Sequence, residues 1–152
     1  MINSDDTSGA DDRYRLSRFI QAQQSDCDQA LSEIKNGRKR SHWMWYIFPQ
    51  LDGLGFSSTA KYYSIKNIDE AKAYLDHPVL GARLRECAEA ACNVEGRSAA
   101  EIFGHPDDLK LKSCATLFEH VAAPGSVFEH LLEKYSDGER DEKTLQLLGN
   151  QK

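Results

Sequence analysis

Apolar residues in this chain return every three or four positions and almost never every two. From Arg13 to Lys35, the residues Leu16, Phe19, Ile20, Cys27, Ala30, Leu31 and Ile34 fall on one face of a helix. β-Branched residues are sparse, so little of the chain suits a half-buried sheet. The pattern predicts an all-α fold: a single compact domain of about seven or eight short helices. A chain of 152 residues is long enough to close one hydrophobic core.

Local signals divide the helices. Gly37 is a stop for the first, and Ser41 caps an aromatic segment from His42 to Phe48 that Pro49 breaks. Residues 50–55 read as a loop. Ser57 or Ser58 caps a short helix through Lys66, and Asn67 or Asp69 opens another reaching Asp76. Pro78 suits the first position of a helix running to about Cys92, with Leu80, Leu84, Cys87, Ala88 and Ala91 on its face. Ser98 with Glu101, and Ser126 with Glu129, have the spacing of capping boxes. Between them a helix starts at Pro106 and carries Leu111, Cys114, Ala115, Phe118 and Val121 on one side. Asp141 caps a last helix ending at Gly149. The domain therefore spans residues 13–150, and residues 1–12, MINSDDTSGADD, read as a mobile acidic tail.

Charge and motifs remove several function classes. A net charge of −5 disfavours nucleic acid and acidic lipid, despite the basic run Arg38-Lys39-Arg40. No apolar run approaches the roughly 18 residues of a membrane span, and the first residues lack a secretory signal's basic and apolar regions. The four cysteines, Cys27, Cys87, Cys92 and Cys114, form no C-x2-C unit, which argues for reduced thiols in a cytoplasmic protein. Neither a metal site nor a cofactor is expected. Nucleophile-elbow, zinc-protease and phosphate-loop motifs are absent.

The stretch KRSHWMWYIFPQLDGLGFSS, residues 39–58, holds the densest aromatic cluster. Such a cluster is either core or the wall of a ligand pocket. In the pocket reading Trp43, Trp45 or Tyr62 stacks a planar group, with Gln50 beside it. Gly53 and Gly55 let backbone N–H groups approach a phosphate, and Arg83 or Lys110 neutralises charge. Helical projection places Asp107 on the stripe of Leu111, Cys114 and Phe118, where a carboxylate needs a partner or a cavity. It is either a helix cap or a catalytic acid, and Arg83, projected to the edge of its own stripe, is its candidate partner. Asp108 and Lys112 project to solvent as an i, i+4 pair.

Four segments in order, Phe19-Ile20-Gln21-Ala22-Gln23, SHWMWYIFPQLDGLGFSS, AYLDHPVLGARL and IFGHPDDLKLKSCATLF, resemble the DUF1810 family over residues 13–148. The resemblance implies a compact helical domain and no established activity. More distantly, Asp52 to Tyr63 and Pro78 to Leu84 are similar to NADAR-type proteins, which process ADP-ribose N-glycosides. Those carry a Glu where this chain has Ala60, so a glycosidase would need another acid, such as Asp107. Two readings stand: a pocket protein that binds or processes an ADP-ribose- or nucleotide-like anion, or a helical protein–protein interaction module without enzymatic activity.

Overall fold

The computed structural model describes residues 12–150. Residues 1–11 of the expected tail lie outside that range. Asp12 does not belong to a tail, because it accepts hydrogen bonds from the backbone N–H and the hydroxyl of Ser17 (3.3 and 2.5 Å).

The described residues form nine α-helices: α1 (Ser17–Lys35), α2 (Met44–Ile47), α3 (Ser58–Tyr62), α4 (Ile68–Asp76), α5 (Leu80–Cys92), α6 (Ala99–Phe103), α7 (Asp107–Val121), α8 (Val127–Ser136) and α9 (Glu142–Gly149). The fold is all-α, as the periodicity requires. Helices α5 and α7 form its centre. The first packs on α1, α4 and α8, and the second on α4, α6, α8 and α9. Among the described residues no helix is long and apolar enough to cross a membrane.

An aromatic file joins four helices through the core. Phe19 meets Tyr74 edge to face with ring centres 5.0 Å apart, Tyr74 meets Phe118 at 5.4 Å, and Phe118 meets Phe128 at 5.7 Å. All four rings are buried, as expected for Phe19 and Phe118. Gln23 lies buried among them and donates to the Tyr46 carbonyl (2.7 Å) and the Tyr74 hydroxyl (3.0 Å).

Several boundaries differ from the pattern, each for a local reason. Helix α1 begins at Ser17 rather than Arg13, because Arg15 has a left-handed backbone (φ 55°) that no α-helix continues through. Helix α3 stops at Tyr62, four residues early. There the chain turns so that Ile65 pairs with the loop strand, its N–H donating to Gln50 O and its carbonyl accepting from Asp52 N–H (both 2.8 Å). Pro78 lies ahead of α5, whose entry is capped by His77 Nδ1 accepting from Val79 and Leu80 N–H (3.1 and 3.2 Å). The Ser98–Glu101 box forms completely. The Ser126 hydroxyl caps Glu129 N–H, but the Glu129 carboxylate turns to Gly125 N–H (2.9 Å), so that box is half made.

A buried ion pair ties the start of α1 to the α3–α4 corner. Arg18 spends its guanidinium donors on Tyr62 O, Tyr14 O, Arg15 O, Ser64 O and Glu70 Oε2, at 2.7–3.0 Å. The other Glu70 oxygen accepts from Lys66 N–H (2.9 Å). A buried pair persists where its remaining hydrogen-bonding capacity is met in this way.

Candidate functional site

The site begins with Glu33, near the end of α1. Its Oε1 accepts from Arg40 N–H (2.8 Å), Ser41 N–H (3.1 Å) and the Trp43 indole N–H (2.9 Å). Its Oε2 accepts from the Ser41 hydroxyl (2.7 Å) and the Gln29 amide (3.1 Å). Burial alone would raise this carboxyl's pKa. The hydrogen bonds, led by Arg40 N–H, outweigh burial and hold it at about 2. One carboxylate thereby fastens the strap from Arg40 to Trp43 onto α1 and sets the rotation of α2.

That rotation sorts the aromatics. Trp43 points inward and is 1 % exposed, packed against Phe48 and Phe103. It is core and cannot stack a ligand, which corrects its assignment as a binding residue. Trp45, two positions on, is half-buried and faces outward. The ammonium of Lys110, from α7, sits 5.1 Å from the Trp45 ring centre, within cation–π range.

Asp107 holds that lysine. At the first position of α7, its carboxylate meets Lys110 Nζ at 3.2 Å and Lys39 Nζ at 3.0 Å. Lys39 lies 5.2 Å from the Trp43 ring centre and is nearly buried. The apolar projection of Asp107 is therefore resolved by partners, two ammonium groups, rather than by a catalytic cavity. Neither expected pairing of this region forms. Arg83 donates instead to Gln23 Oε1 (3.4 Å), because α5 faces α1 at that level, and Asp108 meets His105 (3.0 Å) while Lys112 reaches Glu139 (3.7 Å).

Beside Trp45 lies an open groove of about 460 Å³, between the loop of residues 50–57, the first turns of α7 and the start of α9. Trp45, Gln50, Gly55 and Lys110 line it, so four of the expected binding residues come together. Ala60 lines it too, as an apolar methyl where the second resemblance implies an acid. The other expected residues lie elsewhere. Gly53 backs onto the Leu147 side chain, Tyr62 borders a different cavity, and Arg83 and Asp107 are not on the groove wall. Phe56, 82 % exposed, and Leu109, 52 % exposed, stand on its rim. These two, with Ser113, Asp141 and Lys143, were not foreseen. An apolar Leu109 off the buried stripe of its helix was the one signal that pointed there.

The lining combines ammonium groups with aromatic rings. Lys110 and Lys143 supply positive charge, and Trp45 and Phe56 supply ring faces. Asp141 is the only carboxylate on the wall among the described residues, and its Oδ2 is engaged in capping α9 through Thr144 N–H (3.0 Å) and the Thr144 hydroxyl (2.6 Å). No group of three His, Cys, Asp or Glu side chains among the described residues is arranged to hold a metal ion.

A family model described as "Protein of unknown function (DUF1810)" matches residues 13–148. The crystal structure of the conserved hypothetical protein Rv1873 from Mycobacterium tuberculosis is similar in sequence and fold, with 48 % identity and a TM-score of 0.88. The match covers 90 % of this chain and 97 % of that one. No curated protein matches the chain. Neither match carries the similarity to NADAR-type proteins. The chain belongs to the DUF1810 family.

Proposed function

We propose that the groove beside Trp45 binds a small planar anion of the nucleotide class, ADP-ribose-like molecules included. One observation carries this reading: Lys110 is held over the Trp45 ring by Asp107 while its side chain, 27 % exposed, reaches the groove. An ammonium held over one side of the indole puts charge next to an aromatic surface, which is what a nucleotide's phosphate and base require. A volume of about 460 Å³ falls within the usual range for ligand pockets. Gln50 adds a polar group able to donate and accept. The free thiols among the described residues fit the expected cytoplasmic setting.

Binding is favoured over processing. The acid expected to act, Asp107, is neutralised by two lysines and lies off the wall, so its role is to position Lys110. The exposed Phe56 and Leu109 favour the second reading, a docking surface for another protein, since both would be covered by a partner's apolar side chain.

Calorimetric titration with ADP-ribose, whose diphosphate has no monoester group, tests the first reading. Lys110→Gln should weaken binding by about 1–3 kcal/mol, the range for a hydrogen bond to a charged group, while Arg83→Ala, remote from the groove, should leave it unchanged. Saturable binding that ignores Lys110 would overturn the assignment.

A further inference from the structure

A second cavity, of about 280 Å³, opens between the turn preceding α1 and the turn that follows α3. It shares no lining residue with the groove. Arg13, Arg15, Arg18, Lys61 and Lys66 line it, against a single carboxylate, Glu70. Five cations around one hollow stand out in a chain of net charge −5.

Their partners divide them into two groups. Arg18 and Glu70 neutralise each other at 2.8 Å, and Lys66 turns to Asp52 (3.7 Å) and the Ser64 hydroxyl (2.7 Å). Arg13, Arg15 and Lys61 form no salt bridge among the described residues. Arg15 instead lies over the exposed ring of Tyr62, 5.4 Å from its centre. A stacked guanidinium keeps its planar fork of donors ready for a bidentate acceptor.

The scaffold beneath is rigid. The Arg18 guanidinium binds the carbonyls of Tyr14 and Arg15 on one wall and those of Tyr62 and Ser64 on the other. Carbonyl oxygens that would repel an anion are thus already engaged. Arg15 also adopts φ 55°, a conformation that disfavours any residue with a Cβ. A strained backbone beneath an exposed arginine that forms no salt bridge among the described residues has the character of a functional position.

We propose that this cavity binds a small-molecule phosphomonoester, its phosphate held by Arg15 with Arg13 and Lys61 contributing charge. The phosphate group carries about −2 charge near neutral pH and three acceptor oxygens, matching a guanidinium fork flanked by two further cations. The cavity leaves room for an organic group beyond the phosphate.

Phenyl phosphate is the probe, titrated at low salt into the ¹⁵N-labelled full chain, with inorganic phosphate and phenol as separate titrants. Amide signals of residues 13–15 and 61–62 should shift saturably with phenyl phosphate, at an affinity at least tenfold above inorganic phosphate, and phenol should not move them. Arg15→Gly is the decisive variant, because glycine adopts φ 55° without strain while the whole side chain, guanidinium included, is removed. Its melting temperature should match or exceed that of the parent while phenyl phosphate affinity falls at least tenfold. Arg85→Gln, which removes one exposed positive charge elsewhere, should change affinity less than twofold. Four outcomes would overturn the proposal: no saturation at residues 13–15 and 61–62, inorganic phosphate binding as well as phenyl phosphate, unchanged affinity in Arg15→Gly, or equal losses in the two arginine variants.

Discussion

Glu33→Gln removes the charge that fastens the aromatic strap and keeps the side-chain shape. The wild-type carboxyl is lowered from 4.5 to about 2 on folding. At ~1.4 kcal/mol per pKa unit, that difference corresponds to roughly 3 kcal/mol of stability at pH 7. Because the folded value is the depressed one, the stabilisation is complete above pH 4.5 and fades as pH falls towards 2. By linkage about 1.5 kcal/mol should remain at pH 3. The amide can keep its carbonyl on Arg40, Ser41 and Trp43, but loses the charge that strengthens those bonds and the acceptor facing Ser41 and Gln29. Urea unfolding at pH 7 should show a loss of about 3 kcal/mol in Glu33→Gln, and the gap between variant and parent should narrow by about half at pH 3. A loss below about 0.5 kcal/mol at pH 7, or a gap that does not change with pH, would show that the Glu33 charge does not fasten the strap.

Other perturbations test the core, the thiols and the lysine cluster. Phe19→Ala or Phe118→Ala should each cost about 3–5 kcal/mol by denaturant melt, and less than about 1 kcal/mol would contradict the aromatic file. Gly81→Ala, ordinarily stabilising within a helix, should destabilise by about 1–3 kcal/mol or more, since a Cβ there would stand 2.1 Å from the Leu75 carbonyl; a raised melting temperature would show that α4 and α5 are not so close. Cys27 is held below the ordinary thiol range by its hydrogen bond to Cys87, against burial and with help from Arg83, while burial pushes Cys114 well up. Iodoacetamide at pH 7.5 should therefore modify Cys27 before Cys114 in the native protein, and the reverse order by mass spectrometry would contradict the pairing. Asp107→Asn should weaken ADP-ribose binding less than Lys110→Gln does, because it loosens the lysine without removing it; a larger effect in calorimetry would give Asp107 a direct role.

The helices could be read from the chain because their apolar stripes and caps are local. Phe19, Phe118, the complete Ser98–Glu101 box and the Asp141 cap each follow from residues within one or two turns. The truncation of α3 could not be read, since it depends on Ile65 pairing with residues 50–52 across the intervening turn. The same limit applies to the site. Alternation within WMWY gives no sign of which Trp faces the core, because that depends on Glu33, ten residues earlier, capturing the Trp43 indole. Arg83 and Asp107 looked like partners on separate helical projections, yet α5 presents Arg83 to Gln23 and the basic link presents Lys39 to Asp107. The sequence RYRLSR leading into α1 matches no functional motif, although its alternating cations and ring form one wall of the second cavity. Its partner wall is Lys61 to Lys66, more than forty residues away, and the Arg18 hydrogen bonds and the Arg15–Tyr62 contact bring the two together.

The proposed ligand enters the groove at Trp45 and leaves Trp43 untouched. The indole N–H signals of the two tryptophans report this directly in ¹H–¹⁵N spectra. Trp43→Phe and Trp45→Phe assign them. On titration with ADP-ribose, the Trp45 signal should shift saturably while the Trp43 signal, bound to the Glu33 carboxylate inside the core, stays in place. A Trp45 signal that remains fixed through saturating ADP-ribose would contradict the groove as the binding site.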